Sequence, residues 1–438
     1  MRDLPETEAE ISDDSRWPAF FPSPICLITS QGKHGPVLER VVGATIVNRF
    51  PYILAFSVCH RPLSRRHYPR QALIEALDHS RHAIVQFLSP GANLETALSA
   101  ITGLPDERAS QRLAESGLPH SPGESGPSPI LQDAFLAYEG HLAAPGKDYT
   151  GTEVFLEPHR DVGSHRIYFL EIKGIYLQRD IAKQAKQIRW HSLPLWPDGP
   201  KISRPNPAQP LTRGKKTYSK GYTADYRFPS ADTVAFEYDR MISNWAYKRL
   251  PDDPRAQVEI DNDRARWPCF FPSSLGMITT WADANRPNFM PCGSTAIVAR
   301  QPFTIAISIC YAPINDRYAP RATLDAIRRS GRFGCGVGYD DPAFVDAIRL
   351  AGNLSLADAP DKVAATGLEV LEDPRAPVLT ACPITLQCAV VGEQRMGTHV
   401  MVFGVVEEIL VHRDLGPAAP LVWQPWANVL NIATPNSP

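Results

Sequence analysis

Arg266-Trp-Pro-Cys-Phe-Phe-Pro-Ser-Ser-Leu-Gly-Met-Ile-Thr-Thr280 has a counterpart earlier in the chain. Arg16-Trp-Pro-Ala-Phe-Phe-Pro-Ser-Pro-Ile-Cys-Leu-Ile-Thr-Ser30 is identical to it at nine of fifteen positions. Both open on an aromatic–proline corner and run into a β-rich segment. The two lie 250 residues apart, far too long for a solenoid or propeller unit and suited to two whole domains. Further pairs follow in the same order. Val47-Asn-Arg-Phe-Pro-Tyr-Ile-Leu-Ala-Phe-Ser-Val-Cys-His60 matches Val298-Ala-Arg-Gln-Pro-Phe-Thr-Ile-Ala-Ile-Ser-Ile-Cys-Tyr311 at six of fourteen positions. Leu113-Ala-Glu-Ser-Gly-Leu118 matches Val363-Ala-Ala-Thr-Gly-Leu368. His165-Arg-Ile-Tyr-Phe169, followed by Arg179-Asp180, matches His399-Val-Met-Val-Phe403, followed by Arg413-Asp414. Ordered matches of this kind predict a tandem duplication. Retention for folding alone accounts for the paired Pro and Phe better than for the paired His.

The bulk properties set the frame. A chain of 438 residues suits two or three domains. Its 43% hydrophobic share is slightly below the usual globular fraction and still supplies a core for each half. A net charge of −2 gives no overall field favouring nucleic acid or an anionic membrane. No apolar run approaches the ~18 residues of a membrane span, and the acidic, polar start Met1-Arg-Asp-Leu-Pro-Glu6 is unlike a secretory signal. The expectation is a cytoplasmic protein without nucleic-acid or membrane partners. None of the eight cysteines forms a Cys-x-x-Cys pair, so the expected state is reduced core thiols rather than a metal site.

Along the chain, residues 1–15 read as a polar tail. Strands are expected at Ile25–Ser30, Val41–Val47 and Tyr52–Val58, and the helical spacing of Leu73 and Leu77 marks a helix at Gln71–Leu77. A strand at His82–Leu88, short helical patterns over 93–117, a Ser/Pro/Gly-rich loop at 119–129, and strands near 134–142, 152–157 and 166–177 complete the first repeat. The second has strands at Leu275–Thr280, Phe303–Ile309, Phe333–Val337, Ile384–Val391 and Val400–Val411. Its helix at Thr323–Ser330 is closed by Gly331. Short strands and little helix predict a small closed or nearly closed barrel in each half. The expected division is a first barrel over 16–195, a Pro-rich linker over 196–255 with a helix near 232–248, and a second barrel over 256–438. The linker's basic Arg213-Gly-Lys-Lys216 reads as solvated chain.

The second repeat resembles the flavin reductase-like family, the FMN-binding split barrel. Pro272–Thr280 looks like its first barrel strand, Arg286-Pro-Asn288 like the turn before the second, and Pro291–Pro302 like the flavin loop. Thr323–Phe333 looks like the helix and strand start that follow. Asp361-Lys-Val-Ala-Ala-Thr-Gly-Leu368 resembles the Asp-Lys-Phe-x-x-Thr-Gly-Leu segment, and Gly397-Thr-His399 the Gly-Asp-His that opens a strand carrying a histidine near the flavin. The likeness covers nearly all of 266–414 and, more weakly, 16–180. It implies mainly β structure with short helices, as two tandem split barrels forming an intramolecular pseudo-dimer, with further homo-oligomers an option.

It also implies site residues. A flavin phosphate wants arginine, hydroxyl and helix N-terminal donors, which points to Arg317, Arg321 and Thr323, and to Arg65–Arg70, Arg70 above all, in the first repeat. Ser294 and Thr295 fall in the loop lining the isoalloxazine edge, with Ala44 and Thr45 as their counterparts. His399 and His165 are candidates for tuning the flavin or moving a proton, although a buried satisfied histidine or a surface arginine would read alike. The family's hydroxyl positions fall here on Gly293, Gly43, Ala299 and Asn48, so the two pockets are expected to differ. The implied cofactor is FMN, with FAD as the alternative and NAD(P)H as electron donor. The implied activity is hydride transfer between NAD(P)H or a small organic substrate and flavin. The competing readings are a barrel repurposed for non-redox specialised metabolism and a non-catalytic flavin-binding module. The Gly-x-Gly-x-x-Gly dinucleotide motif is absent, which does not decide among them.

Overall fold

A computed structural model describes residues 26–411 apart from 49–50, 62–68, 89–91, 148–152, 155–156, 178–273, 301, 312–320, 338–346, 349, 353, 357–358 and 383. The expected tail, the linker with its helix, both aromatic–proline corners and the three proposed domain boundaries lie outside these residues.

In the first half the strands are β1 Cys26–Gly32, β2 Gly35–Asn48, β3 Ile53–Cys59, β4 His82–Leu88, β5 His120–Pro122, β6 Pro129–Leu131, β7 Ala134–Leu142, β8 Gly146–Lys147, β9 Glu153–Val154, β10 His159–Val162 and β11 His165–Leu177. Three helices, α1 Gln71–Ser80, α2 Ala92–Gly103 and α3 Arg112–Ser116, are joined by a 3-10 turn at Asp106–Gln111. In the second half come β12 Ser274–Asp283, β13 Arg286–Arg300, β14 Phe303–Cys310, α4 Ala322–Ser330, β15 Arg332–Val337, α5 Lys362–Thr366, β16 Val370–Leu371, β17 Val378–Leu379, β18 Ile384–Arg395 and β19 His399–Val411.

The second half is a closed barrel in the order β12-β13-β14-β19-β18-β15. The first half runs β11-β3-β2-β1-β4-β7, and β11 also pairs with β7, so six strands again form a ring with β10 appended. Matching strands in sequence order, the two rings have the same topology. The cause is visible in the strands. Their core-facing residues are β-branched and aromatic, and β14 is buried from Phe303 through Cys310, as expected of a strand covered on both faces. Closure leaves no ring edge unpaired. An equivalent helix packs on each ring. In α4 the buried residues Thr323, Leu324, Ala326 and Ile327 recur at helical spacing, and Gly331 ends it at φ 66°. In α1 the buried set Leu73, Ile74, Ala76 and Leu77 matches, but the non-glycine Arg81 takes the left-handed cap at φ 56°.

The rings meet along β2, β3 and β11 of one and β13, β14 and β19 of the other. Val47, Ile53, Ala55, Ile167 and Phe169 share one buried cluster with Ala296, Val298, Ala306, Met401 and Phe403. The contact is reciprocal. Ser57 Oγ donates to Val298 O at 2.5 Å, and its sequence counterpart Ser308 Oγ donates to Val47 O. Equivalent residues exchanging equivalent bonds are the mark of a two-fold interface. Gly43 packs directly against the backbone of the other ring. Its φ is +69°, and a Cβ there would sit 2.1 Å from Ile297 O, so any other residue is both strained and blocked.

Candidate functional site

The site is built at the start of α4. Arg321 sits at the helix N-cap, its backbone N–H bonded to Cys310 O at 3.1 Å. Cys310 lies opposite His399 in the β14–β19 ladder, so the helix start and the histidine are held one strand apart. The first half repeats the construction: Arg70 N–H bonds to Cys59 O at 2.9 Å, and Cys59 lies opposite His165. Both histidines are 6% exposed. Nδ1 of His399 lies 2.9 Å from Thr398 Oγ1, and Nδ1 of His165 lies 2.8 Å from Ser164 Oγ. Next to them, Tyr311 Oη donates to Gly397 O, while His60 Nε2 lies 3.1 Å from Gly163 O.

One difference crosses the seam. Asn48 Oδ1, from the first half, accepts from Thr398 N, Thr398 Oγ1 and His399 N, each at 3.0 Å. Ladder register makes Ala299 the equivalent of Asn48, since Asn48 faces Ile53 and Ala299 faces Thr304. The position that braces His399 from across the seam is therefore an alanine on the His165 side.

The helix-start groups of the second half converge. Asn288 Nδ2 donates to Thr323 Oγ1 at 2.9 Å, leaving Asn288 Oδ1 buried without a partner. Thr295 Oγ1 donates to Cys292 O at 2.9 Å, and burial pushes the Cys292 thiol above its usual value. Ser294 is half-buried beside them. Lys362, first residue of α5, completes the group. It is 3% exposed, its backbone N–H donates to Ala359 O at 3.0 Å, and its ammonium lies 5.9 Å from the Phe289 ring centroid with no hydrogen bond or ion pair among the described residues. Burial, and then the facing charge of Arg321, lower its pKa to about 8. A nearly buried lysine with no carboxylate on its ammonium among the described residues is a charge that an anion offsets.

The same positions in the first half are filled differently. The match of Leu113–Leu118 with Val363–Leu368 puts Arg112 in the place of Lys362. Arg112 is fully buried and donates to Glu39 Oε2 at 2.6 Å and to Leu104 O at 2.9 Å. Glu39 Oε2 is also 3.4 Å from Arg70 Nε. Asp106 Oδ2 accepts the N–H of Ala72, in the first turn of α1, at 2.8 Å. Glu39 faces Ile28 as Met290 faces Ile278, and Val37 faces Ser30 as Asn288 faces Thr280. Counting back from Lys362, Asp106 corresponds to Leu356.

Of the residues expected from sequence, the structure thus brings Arg321, Thr323, Ser294, Thr295 and His399 to one region, and Arg70 and His165 to the matching one. Thr45 is buried opposite Ala55, as Ala296 is opposite Ala306. The expected pairing of Thr45 with Thr295 is one residue out of register, because the β12–β13 hairpin holds one more residue than the β1–β2 hairpin: Thr280 faces Asn288, eight residues on, where Ser30 faces Val37, seven residues on. Along a strand, one residue changes the face. Arg317 lies outside the described residues. Lys362, Asn288 and Asn48 were not singled out as site residues. The Asp361-Lys362 pair inside the family-like segment was the available signal for the first.

Residues 268–427 match the family model for a flavin reductase like domain. No curated protein matches the chain. Among solved structures, flavoredoxin of Desulfovibrio vulgaris (Miyazaki F) is 23% identical, covering 33% of this chain and 72% of its own, with a TM-score of 0.28. Nitrilotriacetate monooxygenase component B from Bacillus cereus is 19% identical over 40% of this chain and 86% of its own, with a TM-score of 0.31. An FMN-binding protein from Thermus thermophilus is 15% identical over 32% of this chain and 71% of its own, with a TM-score of 0.27. The flavin reductase like segment takes in β13, α4, α5 and β19, and so every residue of the convergent group. Among the described residues no helix is long and apolar enough to cross a membrane, and no cluster suits a metal ion.

Proposed function

We propose that the chain is an FMN-dependent oxidoreductase that passes hydride between NAD(P)H or an organic substrate and flavin. The two halves act as an intramolecular pseudo-dimer, and the working site is the one in the second half. The observation that carries this reading is Lys362, a nearly buried residue beside Phe289 whose ammonium has no counter-anion among the described residues. A phosphate monoester, with about −1.5 to −2 charge and three strong acceptor oxygens, fits that donor set.

Bound flavin supplies the hydride-accepting ring; the protein supplies binding, orientation and electrostatics. Lys362, Arg321 and the first amides of α4 hold the phosphate end. Ser294 and Thr295 stand in the loop next to it, where Thr295 is fixed by its bond to Cys292 O. His399 is oriented through Thr398 and Asn48, and serves to hold or deliver a proton. The seam cluster keeps water from the β14–β19 side.

The test is the spectrum of the purified full chain. A yellow protein absorbing near ~450 nm, bleached anaerobically by NADH or NADPH, is expected. A colourless protein whose melting temperature FMN does not raise contradicts the reading.

A further inference from the structure

The bonds around His399 have directions that fix where its hydrogen sits. Asn48 Nδ2 donates to Pro51 O at 2.7 Å, and the other amide atom of Asn48 lies 3.0 Å from the backbone N–H groups of both Thr398 and His399. Backbone N–H groups only donate, so the atom facing them is the amide oxygen. That oxygen also lies 3.0 Å from Thr398 Oγ1. An amide oxygen only accepts, so the hydroxyl points its one hydrogen at Asn48. Toward His399 Nδ1, 2.9 Å away, Thr398 Oγ1 then presents lone pairs alone, and Nδ1 must carry a hydrogen. The reverse assignment sets lone pair against lone pair among residues that are 1%, 0% and 6% exposed (Asn48, Thr398 and His399), where an unmade bond is costly.

We propose that Asn48 and Thr398 are positioning residues that hold His399 as its Nδ1–H tautomer, so that the second-half site takes up and releases a proton at Nε2 alone. Asn48 comes from the first ring, and the second-half site is incomplete without it. The use of the proton rests on the flavin reading; the tautomer does not.

The turn itself is held from its own ring. Met396 N–H bonds to His399 O at 2.8 Å and closes the hairpin, and Tyr311 N–H bonds to Thr398 O at 3.0 Å. Tyr311 Oη donates to Gly397 O and accepts from Arg395 Nε at 2.6 Å. With its backbone groups bonded on both sides, the turn keeps the Thr398 hydroxyl between Asn48 and His399. The first half lacks the deciding acceptor. Ser164 Oγ stands 2.8 Å from His165 Nδ1, but Ala299 occupies the place of Asn48, and a methyl group accepts nothing. The tautomer of His165 is not set by this route. The consequence for chemistry is specific. Neutral His399 offers the Nε2 lone pair, and a proton arriving there leaves the Nδ1–H bond to Thr398 in place, so no bond in the network reverses on transfer.

The experiment is nitrogen–proton correlation NMR of the full chain labelled in its histidine rings, at alkaline pH where imidazoles are neutral. His399 is assigned by the loss of its signals in His399→Gln. Nδ1 is expected at the position of a protonated ring nitrogen and Nε2 at that of an unprotonated one. Thr398→Val keeps the Asn48 bonds to the two amides and should move both signals toward the average of the two forms; Thr398→Ser should leave them as in the wild type. In the flavin-loaded chain, Thr398→Val should slow bleaching by NAD(P)H on the order of 10-fold or more without weakening FMN. A wild type with the hydrogen on Nε2, or unmoved signals in Thr398→Val, overturns the proposal; moved signals with unchanged bleaching overturn the proton role. If the signals are as expected and FMN does not bind, the flavin reading falls and the tautomer stands. If FMN binds and is bleached while Nε2 carries the hydrogen, the reverse holds. Should Thr398→Val fail to fold, the wild-type spectrum and that of Asn48→Ala decide the matter.

Discussion

Arg112 and Lys362 occupy equivalent places in two rings of the same strand order, and they live under opposite electrostatic conditions. Arg112 is fully buried with Glu39 against it; Lys362 is nearly buried with no carboxylate on its ammonium among the described residues. The lesson is that a repeated fold fixes where charges sit but not whether they are satisfied. Satisfaction is decided by one or two neighbours, here Glu39 against Met290 and Asp106 against Leu356.

The sharpest way to break this comparison is to make the same substitution in both halves. Arg112→Met leaves Glu39 buried and uncompensated except by the more distant Arg70, and should destabilise the chain by about 3–5 kcal/mol in urea unfolding. Lys362→Met removes an unpaired charge from an apolar setting and should leave the ligand-free chain unchanged or slightly more stable. Equal losses at both positions would end the distinction.

A second difference is the network inside the first ring. Glu139 is buried and accepts from Tyr176 Oη at 2.5 Å and Ser125 N at 2.8 Å, with His82 Nε2 at 3.1 Å. Burial alone would raise its pKa; the hydrogen bonds from His82, Tyr176 and Ser125 outweigh this and bring it to about 2. A carboxyl lowered on folding stabilises the fold above its unfolded pKa and ceases to do so as pH falls. Between about pH 4.5 and pH 2 the first half should therefore lose about 3 kcal/mol. Gln387 stands at the equivalent place, facing Glu408 as Glu139 faces Gly174, and cannot titrate. Circular dichroism on acidification should show this loss sharply reduced in Glu139→Gln.

The third lies in the seam. Asn48→Ala removes the common acceptor of Thr398 and His399 and leaves buried donors unpaired, at a cost of about 1–3 kcal/mol. Ala299→Gly, at the matching place, loses no such bond and should cost about 1 kcal/mol or less. Differential melting of the two variants measures the gap.

The smallest expected effect is one of pH on binding. Lys362 titrates near 8 because it is buried and faces Arg321, and only its protonated form attracts a phosphate. FMN affinity should be flat from pH 6.5 to 7.5 and fall above about pH 8, approaching tenfold per unit. In Lys362→Met the profile should stay flat.

Much of the fold was legible. The strand-length β-branched runs and the Gly331 stop placed β1, β3, β4, β7, β11, β14, β15, β19 and α4 within two residues, because strand and helix periods are local, whereas β2 starts six residues before the expected Val41 and neither β10 nor β13 was expected as a strand. Ring closure was read from strand number, although the deciding pairing of β11 with β7 joins residues far apart in the chain. The site was legible only in part. Arg321, Thr323 and His399 stood out through family-like segments, but Lys362 drew notice only as part of a motif. A lysine's meaning depends on its neighbours, and the replacement of Glu39 by Met290 is visible only after strand register is known. The same register explains the misplaced Thr45, since a single added residue in the β12–β13 hairpin shifts the match of every later side chain.

Crystals of the full chain with FMN would test the central claim most directly. The account predicts one flavin, its phosphate against Lys362 and Arg321, with the Glu39–Arg112 pair intact in the other ring. A phosphate lodged beside Arg112 with Glu39 displaced, or flavin in both rings, would contradict it.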